Sequence, residues 1–209
     1  MIAIVDYGLG NVQAIANIYK RLGIEATLAR SADELAAGSH LILPGVGSFD
    51  WAMSRLDASG MRPTLERLVQ TEGRPVLGIC VGMQMMAQHS DEGSAAGLGW
   101  FPARVKLFDD TRFDGPTHLP HMGWNDVVPA RPDPLFAGLE KDSRFYFLHS
   151  YHFAPEDPAH VLATSIYGGE FACAVRRANV WGVQFHPEKS HQWGIQMLKN
   201  FAALQGAGC

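Results

Sequence analysis

The first eighty residues alternate short apolar runs with segments of helical periodicity, which restricts the chain to few folds. Buried strands are predicted at the apolar runs 2–5, 25–28, 41–43 and 75–79. Between them, apolar residues recur at helical spacing in 11–22 and 49–72, and Ser31 and Glu34 have the spacing of a capping box. Strands that alternate with helices indicate a parallel sheet covered on both faces.

The second half of the chain has a different pattern. Strand candidates separated by Gly, Pro, Asp and Asn are 100–108, 124–128, 144–148, 161–167, 171–175 and 180–185. This punctuation is typical of antiparallel pairing. A helix is expected at 190–204, and no internal repeat or linker is evident. We therefore predict one α/β domain over residues 1–209, with a mainly parallel central sheet flanked by helices and antiparallel strands in the second half.

Composition narrows the possible partners and environments. The net charge is −4 and charged residues of both signs are mixed along the chain, so we expect no nucleic-acid surface. No apolar stretch reaches the length of a membrane span, and the N-terminus lacks the basic start of a signal peptide. Three cysteines, an odd number, fit a reducing compartment. We expect a cytoplasmic protein.

Cys80 directly follows a predicted buried strand and precedes a helical pattern, in Gly78-Ile79-Cys80-Val81-Gly82-Met83-Gln84. This is the layout of a nucleophile elbow with cysteine in place of serine, and it presents the sulfur at the carboxyl edge of the sheet. A helix N-terminus favours the thiolate, and the Val81 N–H could stabilise an oxyanion. The alternative is that Cys80 is a small core residue, as we expect for Cys173.

His186 and Glu188 are the candidate base and its orienting group, in Gly182-Val183-Gln184-Phe185-His186-Pro187-Glu188. Pro187 disfavours helix at His186 and favours an extended segment, in which residues two apart project to the same side. Glu188 would then hold one ring nitrogen of His186 and leave the other for Cys80, as in a catalytic triad. The alternative is an incidental histidine and glutamate in a surface loop.

The segment Pro44-Gly45-Val46-Gly47-Ser48-Phe49 follows another predicted strand. Its glycines permit positive φ and a peptide flip, so that an N–H group of Val46 or Gly47 could complete an oxyanion hole with Val81. The glycines could equally serve only a tight turn. Both interpretations are compatible, because a hole that flips would keep an enzyme idle until the productive state is stabilised.

Two histidine pairs, His118 with His121 and His149 with His152, have a His-x-x-His spacing. On extended segments such positions point to opposite faces, so joint metal ligation is not expected. The chain has no Cys-x-x-Cys pair. We expect no metal and no cofactor.

The Cys80 and His186 motifs resemble those of the class I glutamine amidotransferases. Within that family the chain is similar to the glutaminase subunits of imidazole glycerol phosphate synthase through Asp6-Tyr7-Gly8-Leu9-Gly10-Asn11, the 44–49 segment, His121-Met122-Gly123-Trp124-Asn125 and Phe145-Tyr146-Phe147-Leu148-His149-Ser150-Tyr151. The resemblance spans the whole chain, with Val81 where a leucine is common. It implies a flavodoxin-like α/β fold and the hydrolysis of glutamine to glutamate and ammonia through a thioester on Cys80.

The resemblance also implies a partner. Related subunits form a heterodimer with a (β/α)₈-barrel cyclase, which uses the ammonia to make imidazole glycerol phosphate and an aminoimidazole carboxamide ribotide. The positions that match its interface are Asn11, Trp124, Tyr146 and Lys189, although Trp124 could be a core aromatic residue and Lys189 a solvated charge. As a hypothesis, the substrate is held by Gly45, Gln84, His149, Ser150 and Tyr151.

Three other functions remain alternatives. A glutaminase could serve another synthase, for pyridoxal phosphate, anthranilate or a purine, but the segments 44–49 and 121–125 argue against this. A cysteine peptidase or γ-glutamyl hydrolase would act without a partner. A non-enzymatic interaction subunit would keep the fold, and the complete set of Cys80, His186 and Glu188 counts against it.

Overall fold

The computed structural model describes residues 1–109, 111 and 119–204, so His118 lies outside the described residues. The strands are β1 (Ile2–Val5), β2 (Ala26–Ala29), β3 (His40–Gly45), β4 (Val76–Cys80), β5 (His89–Ser90), β6 (Ala103–Leu107), β7 (His121–Asp126), β8 (Val128–Pro129), β9 (Arg144–His149), β10 (Tyr151–Pro155), β11 (Val161–Ile166), β12 (Glu170–Arg177) and β13 (Val180–Val183). The α-helices are α1 (Val12–Leu22), α2 (Ala32–Ala36), α3 (Phe49–Ala58), α4 (Arg62–Glu66), α5 (Val81–Gln84) and α6 (His191–Ala202).

Parallel strands form one half of an eleven-stranded sheet. Their order is β2-β1-β3-β4-β13, and each neighbouring pair is parallel. Every residue of β1 and of β4 is buried, as expected for strands with helices on both faces. The prediction of a mainly parallel α/β sheet is therefore confirmed.

β13 has the antiparallel pairing that the sequence predicted and, in addition, a parallel neighbour that the strand pattern did not indicate. The segment 180–185 was among those predicted to pair antiparallel, and β13 does so with β12. On its other side it pairs parallel with β4, where Gly182 lies opposite Gly78 and Val183 opposite Ile79. As a result, the chain leaves β4 and β13 at the same edge of the sheet.

Beyond β13 the sheet continues as β12-β10-β6-β5, with antiparallel pairs up to β6. β11 pairs with β12 and β8, and β7 and β9 form a separate two-stranded antiparallel sheet. Sequence periodicity did not predict β10. Only Phe153 is fully buried in that strand, and it ends in Pro155, so its apolar alternation is weak.

The helical pattern at 49–72 is divided into three parts. α3 ends at Ala58 and is followed by Gly60 at φ +71°. α4 then begins with a proline in its first turn, and Arg67–Thr71 forms a π-helical turn. A left-handed glycine ends a helix without steric cost, which explains why the periodicity continues while the helix does not.

Gly82 is the point of closest approach between α5 and β3. A Cβ on Gly82 would overlap the carbonyl group of Leu43, so α5 can lie against this strand only with glycine there. This contact fixes the start of α5 directly after Cys80.

We expect Gly82→Ala to lower the free energy of unfolding by about 2–3 kcal/mol, because a methyl group has no space against β3. Urea denaturation measures this change. The comparison variant is Gly23→Ala, which has φ +68° but open space around a Cβ, and should lose only about 1 kcal/mol through backbone strain. Equal losses for the two variants would contradict the close-contact explanation.

Candidate active site

Cys80 is the last residue of β4 and stands in a strained backbone conformation. Its φ is 56° and its ψ is −114°, and α5 begins at the next residue. Non-glycine residues rarely adopt positive φ, and such strain concentrates at functional sites. Gly45, at the end of β3, is the register partner of Cys80. The predicted elbow is therefore present in the backbone.

His186 follows β13 and contacts Glu188. Its Nδ1 lies 2.9 Å from the Glu188 carboxylate, and the two side chains are 4% and 2% exposed. The route to this contact differs from the expected one. His186 itself is extended, but Pro187–Lys189 forms a 3₁₀ turn, and this turn brings the carboxylate to the ring.

The His186 ring and the Cys80 sulfur face the same cavity, and Cys80 Sγ itself lies 3.9 Å from the Leu148 carbonyl. Burial lowers the pKa of His186, but the interactions of the ring with Cys80 and Glu188 outweigh this effect and raise the pKa to about 10. The three side chains are thus arranged in the order sulfur, imidazole, carboxylate. The raised pKa keeps the imidazole protonated at neutral pH.

The position of His186 depends on β9 through backbone hydrogen bonds. The His186 N–H donates to the Tyr146 carbonyl at 2.9 Å, and the Tyr146 N–H donates to Ser190 Oγ at 3.0 Å. The Ser190 hydroxyl in turn donates to the His186 carbonyl at 2.6 Å. These three bonds form a closed ring, so the base is attached to β9 as well as to its own strand.

Two buried amides lie beside the sulfur. Gln184 is fully buried, and its Nε2 lies 3.8 Å from Cys80 Sγ. Its Oε1 accepts a hydrogen bond from Gln84 Nε2 at 3.1 Å, and the same Gln84 nitrogen donates to the Tyr151 carbonyl at 3.2 Å. The predicted substrate residue Gln84 is therefore fixed from two sides.

A chain of histidines fixes the same carbonyl. His149 Nδ1 lies 2.8 Å from the Tyr151 carbonyl, which can only accept, so this nitrogen carries the proton. His149 Nε2 must then accept from His121 Nδ1 at 3.0 Å, and His121 Nε2 from Asn125 Nδ2 at 3.2 Å. Burial lowers the pKa of His121 to about 4 and that of His149 to about 3. Both rings are therefore neutral and have fixed tautomers.

A cavity of about 280 Å³ opens beside the sulfur, close to the lower end of the size range of small-molecule sites. The predicted site residues that line it are Val46, Gly47, Cys80, Val81, Gln84, His149, Ser150, Tyr151, His186 and Lys189. Glu188 lies behind the His186 ring, and Gly45 lies under the cavity wall against α5, where a Cβ would overlap Gly82. Gly47 has φ +86° and Val46 is 38% exposed.

Glu92, Gln184 and His121 belong to the site but were not among the residues predicted for it. Glu92 lines the cavity, and its Oε2 accepts a hydrogen bond from the Phe49 N–H at 2.8 Å. Gln184 and His121 were within recognised motifs but were given no role in the site. Nothing in the local pattern around Glu92 distinguishes it from a surface carboxylate, because the fold alone brings its loop to the cavity.

The four predicted interface residues are at or near the same edge. Trp124 is 37% exposed and stacks on His191, with ring centroids 5.2 Å apart. Tyr146 is the register partner of Trp124, and Lys189 lies 5.6 Å from its ring. Asn11 is exposed and follows Gly10, where a Cβ would touch Pro44 of β3. Trp124 is thus not a core aromatic residue.

Two further observations concern the described part of the chain only. No group of three or more His, Cys, Asp or Glu side chains there could hold a metal ion. None of its helices combines the length and apolar character needed to cross a membrane.

Comparisons with known proteins agree with this geometry. The family model "Glutamine amidotransferase class-I" matches residues 3–204. "Imidazole glycerol phosphate synthase subunit HisH" is 59% identical in Bdellovibrio bacteriovorus and 48% identical in Leptospira borgpetersenii, each over 98% of this chain and 100% of the relative. A solved glutamine amidotransferase has the same fold, with a TM-score of 0.73 at 22% identity, covering 97% of this chain and 99% of the other. The chain therefore belongs to the class I glutamine amidotransferases, and within them to the HisH group.

Proposed function

We propose that this chain is the glutaminase subunit of an imidazole glycerol phosphate synthase and that Cys80, His186 and Glu188 hydrolyse glutamine. The observation that carries the proposal is that Cys80 and His186 line one cavity while Glu188 contacts Nδ1 of the His186 ring. A cysteine peptidase would also need such a set, but the family and the small size of the cavity favour a single amino acid as substrate.

In the first half of the reaction the Cys80 thiolate attacks the side-chain amide carbon of glutamine. A carbon–sulfur bond forms, and the carbonyl electron pair moves to the oxygen. When this oxyanion collapses, the carbon–nitrogen bond breaks and the nitrogen takes the proton of His186, so that ammonia leaves. A glutamyl thioester and a neutral His186 remain.

In the second half His186 removes a proton from water, and the resulting hydroxide attacks the thioester. The carbon–sulfur bond breaks, glutamate is released, and Cys80 and His186 return to the thiolate and imidazolium state. Glu188 holds Nδ1 throughout, so that Nε2 faces the reacting atoms and the imidazolium is stabilised. No other reactant is needed.

The oxyanion is stabilised by backbone N–H groups on two sides. The Val81 N–H lies at the start of α5, next to the sulfur-bearing residue. The second donor is the N–H of Val46 or Gly47, and Gly47 already has the positive φ that such a turn needs. Exposure of Val46 is consistent with a segment whose peptides can reorient.

The amino-acid part of glutamine carries one positive and one negative group. Glu92 offers a carboxylate in the cavity wall for the α-ammonium group, together with the Gln84 side chain. Residues His149 to Tyr151 form another wall, while Gly45 leaves the space that lets α5 lie against β3 beneath the cavity. Because the neutral histidine chain fixes the Tyr151 carbonyl, this wall is rigid before the substrate arrives.

The ammonia is passed to a cyclase subunit. The HisH name of the relatives describes a subunit of imidazole glycerol phosphate synthase, and we propose that this chain forms the corresponding heterodimer with a (β/α)₈-barrel cyclase in the cytoplasm. The exposed aromatic edge at Trp124, together with Tyr146, Lys189 and Asn11, is the proposed contact surface. Aromatic residues are enriched at the centres of such interfaces.

Cys80→Ala should lower glutamine hydrolysis by at least about a thousandfold, because it removes the sulfur that forms the thioester. Hydrolysis is measured in the complex with the cyclase and its nucleotide ligand. The control is Cys173→Ala: Cys173 is buried in β12, where burial raises its thiol pKa, and this variant should keep its turnover. Retained turnover in Cys80→Ala would reject the assigned nucleophile.

Glu188→Gln should shift the alkaline limb of kcat/KM to lower pH by about 1–3 units. The raised pKa of His186 keeps the proton donor charged at neutral and moderately alkaline pH, so activity falls only as pH rises through that value. Without the carboxylate, burial lowers the pKa, and the proton is lost earlier. Glu66→Gln, which changes a surface ion pair with Arg62, is the control and should not move the limb. If the alkaline limb of kcat/KM stays at the same pH in Glu188→Gln, Glu188 does not raise the pKa of His186 as proposed.

Trp124→Ala should weaken binding of the cyclase by about 2 kcal/mol or more, as expected for a central aromatic contact. Titration calorimetry measures the affinity, and alkylation of Cys80 by iodoacetamide checks that the site is intact. Val128→Ala, which also removes an exposed apolar side chain but on β8, should bind normally. Equal affinity of Trp124→Ala and the parent protein would remove Trp124 from the interface.

A further inference from the structure

The loop that follows β5 is attached to the start of α3 by two carboxylates that point in opposite directions. Glu92 Oε2 in the loop accepts from the Phe49 N–H at 2.8 Å. The next residue of the helix, Asp50, accepts from the N–H groups of Ser94 at 2.9 Å and Ala95 at 3.0 Å. Each segment thus supplies one carboxylate to backbone donors of the other.

This double contact joins two walls of the cavity. Glu92 lines the cavity directly, as do Val46 and Gly47. Phe49 and Asp50 follow the 46–48 segment without a break, so the helix end that Glu92 caps is also the end of the proposed oxyanion segment. A shift of Glu92 and a shift of that segment are therefore mechanically connected.

Asp50 determines where the loop can run. The backbone at Gly93 passes so close to the Asp50 carboxylate that a Cβ on Gly93 would overlap it. Gly93 does not have positive φ, so glycine is needed there for space. The carboxylate therefore holds the loop directly after Gly93, two residues from Glu92.

The two carboxylates differ in what they contact. The hydrogen bonds from Ser94 and Ala95 lower the pKa of Asp50, which stays anionic and is satisfied by them. Glu92 uses one oxygen for Phe49, and among the described residues no side chain forms a salt bridge with it. The Asp50 carboxylate thus has a structural role, whereas Glu92 keeps its second oxygen available for a ligand.

We propose that Asp50 is a positioning residue for glutamine. By accepting hydrogen bonds from Ser94 and Ala95 it holds the loop so that the Glu92 carboxylate faces the α-ammonium group of the substrate. The inference rests on the proposed function, in which Glu92 receives that group. Asp50 itself does not touch the substrate. Its loss should reduce recognition of the ammonium group and leave the nucleophile reactive.

The test compares two ligands in the complex with the cyclase and its nucleotide ligand. In Asp50→Ala the KM for glutamine should rise about tenfold, as expected when one charge-assisted hydrogen bond is misplaced. The inhibition constant of glutaramate, which is glutamine without the α-amino group, should change less than twofold. The rate of Cys80 alkylation by iodoacetamide should also stay the same, because this reagent has no amino-acid part.

Two further variants separate positioning from general stability. Asp57→Ala removes a carboxylate from the same helix, where it pairs with Arg62, and should behave as the parent protein. Gly93→Ala should raise the KM for glutamine through the clash with the Asp50 carboxylate. In the double variant with Asp50→Ala this clash is absent, so Gly93→Ala should add little. Asp50→Asn keeps one acceptor oxygen and should give an intermediate KM.

A KM for glutamine that does not change in Asp50→Ala overturns the inference, and so does an equal weakening of glutamine and glutaramate, which indicates a purely structural role. Additive effects of Asp50→Ala and Gly93→Ala overturn it as well. These results leave the proposed function intact if the parent complex hydrolyses glutamine. Absence of hydrolysis by the parent complex rejects the proposed function itself.

Discussion

The parallel pairing of β4 with β3 and β13 is the constraint on which the site depends. It places Gly45, Cys80 and the segment that leads to His186 at one edge, although they are far apart in the chain. The pairing is possible only because small residues face each other where α5 meets the sheet. Gly45 and Gly82 leave no space for a side chain, so α5 starts directly over the sheet edge and fixes the direction of the sulfur.

The antiparallel half of the structure provides the other wall of the cavity. β9 and the start of β10 bring His149, Ser150 and Tyr151 to the nucleophile. A carbonyl at such a place would be free to turn if it had no partners. Here Gln84 and His149 both donate to it, and His121 fixes the tautomer of His149. Burial keeps both rings neutral, so this wall does not change its charge near neutral pH.

Much of the fold and the central chemistry could be predicted because they are local. The strand before Cys80 and the glycines around it specify the elbow within seven residues, and the contact of His186 with Glu188 lies within three. The turn-forming residues around β13 predicted antiparallel pairing, but they did not indicate that β13 also pairs parallel with β4. β10 was missed because it has one fully buried residue. Glu92 was missed because its role comes from a hydrogen bond to a residue 43 positions away.

The closed ring of hydrogen bonds among Tyr146, His186 and Ser190 connects the proposed partner surface with the base. Tyr146 lies on β9, opposite Trp124 on β7, and its ring contacts Lys189, which also lines the cavity. Because the His186 N–H is bonded to the Tyr146 carbonyl, a movement of β9 changes the position of the base relative to Cys80. The proposed oxyanion segment has a corresponding connection through Glu92 and Asp50. The cavity wall thus has two connections to more distant parts of the fold, one from the base to the aromatic edge and one from the 46–48 segment to the loop of Glu92.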